Sequence, residues 1–112
     1  MTLILDTGDL ASGEGAYEFE GYRHGVGVSF IVIDAPSGGG PKRHRHPYKE
    51  IFLVQEGAVT FTVGDDVIEA RGGQIVVVPE GVPHRFVNSS AGRLRQIDIH
   101  ESPRFVTEWC DD

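Results

Sequence analysis

The chain has a single cysteine, Cys110, so no intrachain disulfide can form. Basic residues are few: 10 lysines and arginines face 17 aspartates and glutamates, giving a formal net charge of −7 and a pI near 5.1. Phosphates need a basic surface, so this balance argues against a nucleic-acid partner. Long hydrophobic runs are missing too. Nothing approaches the roughly 20 apolar residues that cross a bilayer, and no membrane partner is expected. The N-terminus, MTLILDTGDLASGEG, has only a four-residue apolar-rich run after Met1 and no basic residue before it, which is not a secretory signal. The cytoplasm is the simplest compartment. At 112 residues the expectation is one domain over 1–112, with room for one core and none for a second.

A sustained helical period is also lacking. The segment Phe105 to Trp109 is the one place where a helical turn is expected. Glycine and proline are present instead, 15 and 6 of them, and they cut the chain into short extended pieces. Leu3 to Leu5 reads as an edge strand, Tyr17 and Phe19 alternate with Glu18 and Glu20, and Val26 to Ile33 is a β-branched run ended by Asp34-Ala35-Pro36. Ile51 to Gln55, Val59 to Val63 and Val67 to Ala70 follow, separated by glycine turns. Ile75 to Val78 is apolar at every position, which predicts cover on both faces. His84 to Val87 and Leu94 to His100 complete the set. Many short strands with such turns predict an antiparallel sandwich or barrel. The expected core is Phe30, Val32, Phe52, Phe61, Val76, Val78, Phe86 and Ile97.

The chemistry is concentrated in two stretches. In Gly38 to Gly57, GGGPKRHRHPYKEIFLVQEG, His44 and His46 share one strand face, and the chain bends at Pro47 before Glu50 returns a carboxylate toward the same point. Gly73 to Asn88, GQIVVVPEGVPHRFVN, uses Pro79, Gly81 and Pro83 as a rigid corner that delivers His84. Three imidazoles and one carboxylate are borderline ligands that suit one divalent transition metal: Fe, Mn, Ni, Co, Cu or Zn. If Glu50 and His84 point inward, Phe52, Val54 and Phe86 share their faces, and the metal sits in an apolar cup.

The two stretches, Gly38-x5-His44-x-His46-x3-Glu50-x6-Gly57 and Gly73-x5-Pro79-x-Gly81-x2-His84-x3-Asn88, resemble the two conserved motifs of the cupin superfamily. The short segment between them, Ala58 to Gly72, is similar to that of small bacterial single-domain members. The resemblance implies an all-β fold, a double-stranded β-helix jelly roll or cupin barrel, with motif one at 38–57 and motif two at 73–88.

Around the ligands, Tyr48, Phe52, Val54, Phe86 and Gln96 are the candidate pocket residues. Gln96, Asp98 and His100 form a polar stripe opposite Ile97 and Ile99. The two isoleucines are the better core candidates, so the stripe is expected to be solvated, with pocket lining as the alternative. His24 and His100 lie outside both motifs and read as surface or packing residues. Lys42, Arg43 and Arg45 surround the ligands, either as a solvated rim or as a means of drawing in an anionic substrate.

A six-coordinate metal with four protein ligands keeps two positions for water, oxygen or a chelating small molecule. The expected function is a metalloenzyme, an Fe(II)-type dioxygenase or related oxidoreductase acting on a small organic molecule. The alternatives are a non-catalytic metal-dependent ligand-binding or sensor module, and a metal-dependent isomerase or lyase. No general acid or base can be named beyond the ligands; Tyr48, Gln96 and His100 qualify only if they face the metal. Apolar residues on both sides of Ile75 to Val78, and at Ile51 and Leu53, predict a homodimer.

Overall fold

Turn residues divide the chain into short strands in the computed structural model, which describes residues 2–110. Met1, Asp111 and Asp112, the ends of the expected 1–112 domain, lie outside the described residues. The strands are β1 (Ala11–Gly13), β2 (Ala16–Phe19), β3 (Ser29–Ala35), β4 (His44–Arg45), β5 (Glu50–Glu56) and β6 (Ala58–Val63), then β7 (Asp66–Arg71), β8 (Ile75–Val78), β9 (His84–Asn88), β10 (Leu94–His100) and β11 (Glu108–Trp109). They form two antiparallel sheets, ordered β1-β2-β3-β10-β5-β8 and β11-β4-β9-β6-β7. This is the all-β jelly roll that the turn spacing and the motif resemblance imply.

Burial follows the two-residue period of a strand. Glu50, Phe52 and Val54 face inward from β5, His84, Phe86 and Asn88 from β9, and Leu94, Gln96, Asp98 and His100 from β10. The core comprises Phe52, Val54, Val59, Phe61, Ala70, Val78, Phe86 and Leu94, with Val76 packed against it. Phe52, Phe61 and Phe86 meet edge-on or tilted at centroid distances of 4.8–5.9 Å, a favourable arrangement for their quadrupoles.

Several expectations are corrected. The face of β10 is the reverse of the one its hydrophobicity suggests: Gln96, Asp98 and His100 are buried, while Ile97 and Ile99 lie half-buried on the outer face. Phe30 and Val32 share that outer side, where they form a groove with Leu3, Leu5, Tyr17 and Phe19, so Phe30, Val32 and Ile97 are not core residues. Strand β8 is a sheet edge with Ile75 and Val77 exposed at 61% and 57%, so its outer face is uncovered. Leu3 to Leu5 forms no strand.

The third strand begins at Ser29 and not at Val26. Gly21–His24 makes a 3-10 turn, and left-handed Gly25 (φ 71°) donates to the carbonyls of Gly21 and Tyr22. Val26 then donates to Gly21 O and is held in the turn. Phe105 to Trp109 has no helical turn. Its end is β11, which pairs with β4 so that Trp109 lies opposite His44 and Glu108 opposite Arg45. Gly40 is required by a close approach: a Cβ there would collide with the carbonyl oxygen of Phe86.

Candidate metal centre

Three strands and one bend bring the ligand set together. In the register between the β5 and β10 strands, Glu50 lies opposite His100; between β4 and β9, His44 lies opposite His84. His46 follows β4 at the bend that Pro47 makes. The donor atoms of His44, His46, Glu50 and His84 all lie within 4.8 Å of one another, and all four residues are buried.

The backbone sets the tautomer of each imidazole. Nδ1 of His44 is 2.7 Å from Lys42 O, Nδ1 of His84 is 2.8 Å from Val82 O, and Nδ1 of His46 is 2.8 Å from Val106 O. A carbonyl oxygen only accepts, so every Nδ1 carries a proton, and in the neutral ring every Nε2 presents a lone pair. Yet Nε2 of His46 and Nε2 of His84 lie 3.0 and 2.9 Å from the same oxygen, Glu50 Oε1. Nε2 of His46 is buried without a well-aligned hydrogen-bond partner. Lone pairs facing a carboxylate oxygen at these distances repel unless each ring takes a second proton or a cation is shared among them. One metal ion satisfies all of them at once, and carbonyl anchoring of the far ring nitrogen is the usual support for a metal-ligating histidine. The residues present fit a transition metal.

The titration behaviour reflects the same crowding. Burial lowers the pKa of His44, and the neighbouring His84 and His46 add to the effect. For His46 burial works against the charged form, but the Glu50 carboxylate and the Val106 carbonyl outweigh it and raise its pKa. Burial alone would raise Glu50, yet His100, His46 and His84 together hold it far below the usual carboxylate range.

His100, read from the sequence as a surface or packing residue, is part of this centre. Its Nε2 stands 3.1 Å from Glu50 Oε2, and its Nδ1 is 2.6 Å from the Tyr48 hydroxyl oxygen, which accepts the Val106 N–H at 3.2 Å. Burial pushes the Tyr48 phenol up to about 12, so it keeps its proton and donates it to His100 Nδ1. That leaves the His100 proton on Nε2, facing Glu50. Tyr48 therefore stands behind the ligands, its ring stacked on His46 at 5.0 Å.

A cavity of about 540 Å³ opens beside the cluster, within the usual size of a small-molecule site. Of the candidate pocket residues, Phe86 lines it. Phe52 and Val54 are in the core, and Gln96 is fully buried, donating from Nε2 to Asp98 Oδ1 at 2.8 Å. The wall also holds His44, His46, Glu50, Asp98 and His100, with Ile31 and Ile33 from β3 and with Phe105, Thr107 and Trp109 from the C-terminal segment. Burial pushes the Asp98 carboxyl well above its ordinary range, and the Glu50 charge adds to this. The basic run does not enter the cavity: Arg45 pairs with Glu108, and Lys42 and Arg43 are not in its wall.

Asp98 and His100 are the site residues that sequence reasoning placed on a solvated face, with pocket lining only as the alternative. The available signal was parity: they share a face of β10 with Leu94, which is fully buried. His24 packs as expected, stacked on Phe19 at 4.6 Å. Asn88, the last motif position, is a structural clip. Its Nδ2 donates to Ala35 O and Gly92 O, and its Oδ1 accepts from Ser90 N and Oγ. Among the described residues, no helix is long and apolar enough to cross a membrane.

Comparison with known proteins agrees with this fold. The chain is 34% identical over 64 residues to the HTH-type transcriptional regulator PuuR of Escherichia coli, covering 57% of this chain and 35% of that protein. It is 30% identical over 93 residues to the uncharacterized protein SCO3923 of Streptomyces coelicolor, covering 83% of this chain and 86% of that one. Its fold superposes on Bacillus subtilis oxalate decarboxylase, a protein with Mn(II) centers, at a TM-score of 0.77 and 18% identity, covering 88% of this chain and 29% of the other. The chain thus spans about a third of the regulator's length, and the decarboxylase likeness speaks for the fold alone. The family model described as Cupin domain matches residues 30–100, more than half of the sequence, and the chain belongs to that family.

Proposed function

We propose that His44, His46, Glu50 and His84 hold one divalent transition-metal ion, and that the adjoining cavity admits a small organic molecule to the open side of that ion. The observation that carries this reading is the convergence on Glu50 Oε1 of the Nε2 atoms of His46 and His84, two rings each anchored at Nδ1 by a backbone carbonyl, an arrangement relieved by a shared cation. Such an ion supplies Lewis acidity and, for a redox-active metal, electrons. The chain's own part is to orient. Val106 and Tyr48 fix the His100 ring with its Nε2 3.1 Å from Glu50 Oε2, leaving Oε1 toward the other imidazoles, while Ile31, Ile33 and Phe86 keep the ligand's apolar part out of water.

Among metal chemistries, this reading favours an Fe(II)-type dioxygenase or related oxidoreductase. Four protein donors leave positions for exogenous ligands, and the cavity abuts the cluster. The test is nitric oxide, an oxygen surrogate, added to the Fe(II)-loaded protein under anaerobic conditions. A ferrous-nitrosyl spectrum that changes when a chelating organic ligand is added is expected. No nitrosyl species means no open position, and the oxidoreductase reading is lost.

A second reading, a metal-dependent ligand-binding module, draws on the match to a transcriptional regulator. Binding of a small molecule without turnover favours it. For partners, the exposed apolar edge at Ile75 and Val77, continued by Ile51 and Leu53 on β5, supports a homodimer.

A further inference from the structure

Electrostatically, the cavity is one-sided. Its wall contains Glu14, Glu18, Glu50 and Asp98 and, among the described residues, no lysine or arginine. A metal ion does not balance this: Glu50 offsets one unit of a divalent charge, and Glu14 and Glu18 by themselves exceed the unit that remains. Asp98 is 3% exposed, yet its one hydrogen-bond donor is the neutral amide of Gln96. Gln96 Oε1 is itself buried without a partner, so this polar pair has no countercharge. A buried carboxylate without a positive partner is costly, and the groups that relieve the other carboxylates of the site, the imidazoles, are engaged with Glu50.

Register places these groups in a line. Asp98 lies opposite Ile31 on β3, and Ile31 lies opposite Glu18 on β2, so the two carboxyls flank one isoleucine in a single cross-strand row. Strand spacing puts them roughly 10 Å apart, and Asp98 stands about 7 Å along β10 from His100. Ile31 and Ile33 supply an apolar floor between them, and Phe105 and Trp109 contribute aromatic side chains to the same cavity.

From this arrangement we infer that the cavity takes a small organic cation, an alkylamine whose ammonium group is held by Asp98, with Glu18 drawing it in, and whose hydrocarbon part lies on Ile31, Ile33 and Phe86. This names the ligand class for the site proposed above and rests on that cavity being the binding site. An ammonium matches the wall in charge, and aromatic faces also attract it. A carboxylate ligand would meet the acidic wall with no arginine to receive it.

The experiment uses three probes of equal length, butylamine, butanol and butanoate, titrated at neutral pH into the full chain with and without Zn(II) and followed by NMR. Butylamine binding at least about tenfold tighter than either other probe is expected. Asp98→Asn should abolish that preference while leaving zinc content unchanged. An amine bound only to zinc would keep its affinity in Asp98→Asn, and that result overturns the inference. Butanoate binding as tightly as butylamine, or no butylamine binding up to about 10 mM, overturns it as well. The wild-type comparison decides the charge preference even if Asp98→Asn fails to fold, and Glu18→Gln, at an exposed position, should weaken it in part. Amine preference without zinc uptake sinks the metal reading and leaves this one standing; zinc uptake without the preference does the reverse.

Discussion

The carbonyl oxygen of Val106 accepts the Nδ1 proton of His46 at 2.8 Å, across 60 residues of sequence. The same residue's N–H donates to Tyr48, whose hydroxyl reaches His100. The C-terminal segment is therefore a brace for two residues of the centre and not a tail. Deleting residues 103–112 should lower metal affinity by about 10–100-fold, the effect of losing an outer hydrogen-bond partner, while circular dichroism stays β-type. Equilibrium dialysis of the truncated chain checks this, and unchanged affinity would refute the brace.

Removing a ligand outright should do more. His84→Ala deletes one of four donors and leaves Glu50 Oε1 with one fewer imidazole, so metal affinity should fall by more than the roughly 100-fold upper limit of an outer-partner loss, and metal content after dialysis should drop sharply with it. Undiminished metal in that variant would remove His84 from the ligand set.

Asp98 makes a prediction with a definite sign. Its folded pKa is raised by burial first and by Glu50 second. The unfolded chain then binds fewer protons than the native one between the ordinary Asp range and the raised value, so stability falls as pH rises through that window. Asp98→Asn should raise the Tm of the metal-free protein at neutral pH, with the gain vanishing near pH 4. Thermal melts across that range test it; a loss of Tm at neutral pH would mean that the carboxylate is compensated.

Glu50 runs the opposite way. Its folded pKa is depressed, so its contribution is present above the ordinary carboxylate range and is lost as pH falls through the folded value. Metal-free wild type should therefore be more acid-sensitive than Glu50→Gln, measured as the slope of Tm against pH below about pH 5. Equal slopes would mean that the three imidazoles do not hold the carboxylate.

The exposed edge should pair. Light scattering of the wild-type chain at micromolar concentration is expected to give twice the monomer mass, and Ile75→Glu with Val77→Glu should return it to one, because charges on a shared apolar face oppose association. A wild-type monomer contradicts the dimer.

By itself the sequence determined the β class and the turn positions around Gly57 and Pro79, because each depends on local spacing, while the resemblance of its two stretches to the cupin motifs joined His84 to His44, His46 and Glu50. Alternation also sorted Phe52 and Val54 with Glu50, and Phe86 with His84. Only the tertiary structure decided which face of β10 is inside. Alternation defines two faces without saying which one meets the core, and apolar content is a poor guide where a polar site occupies the interior: Ile97 and Ile99 went outward so that His100 could stand opposite Glu50. The roles of β8 and of Val106 were equally hidden. Being a sheet edge, or donating a carbonyl across 60 residues, is a property of which strands become neighbours, and no window of sequence contains it.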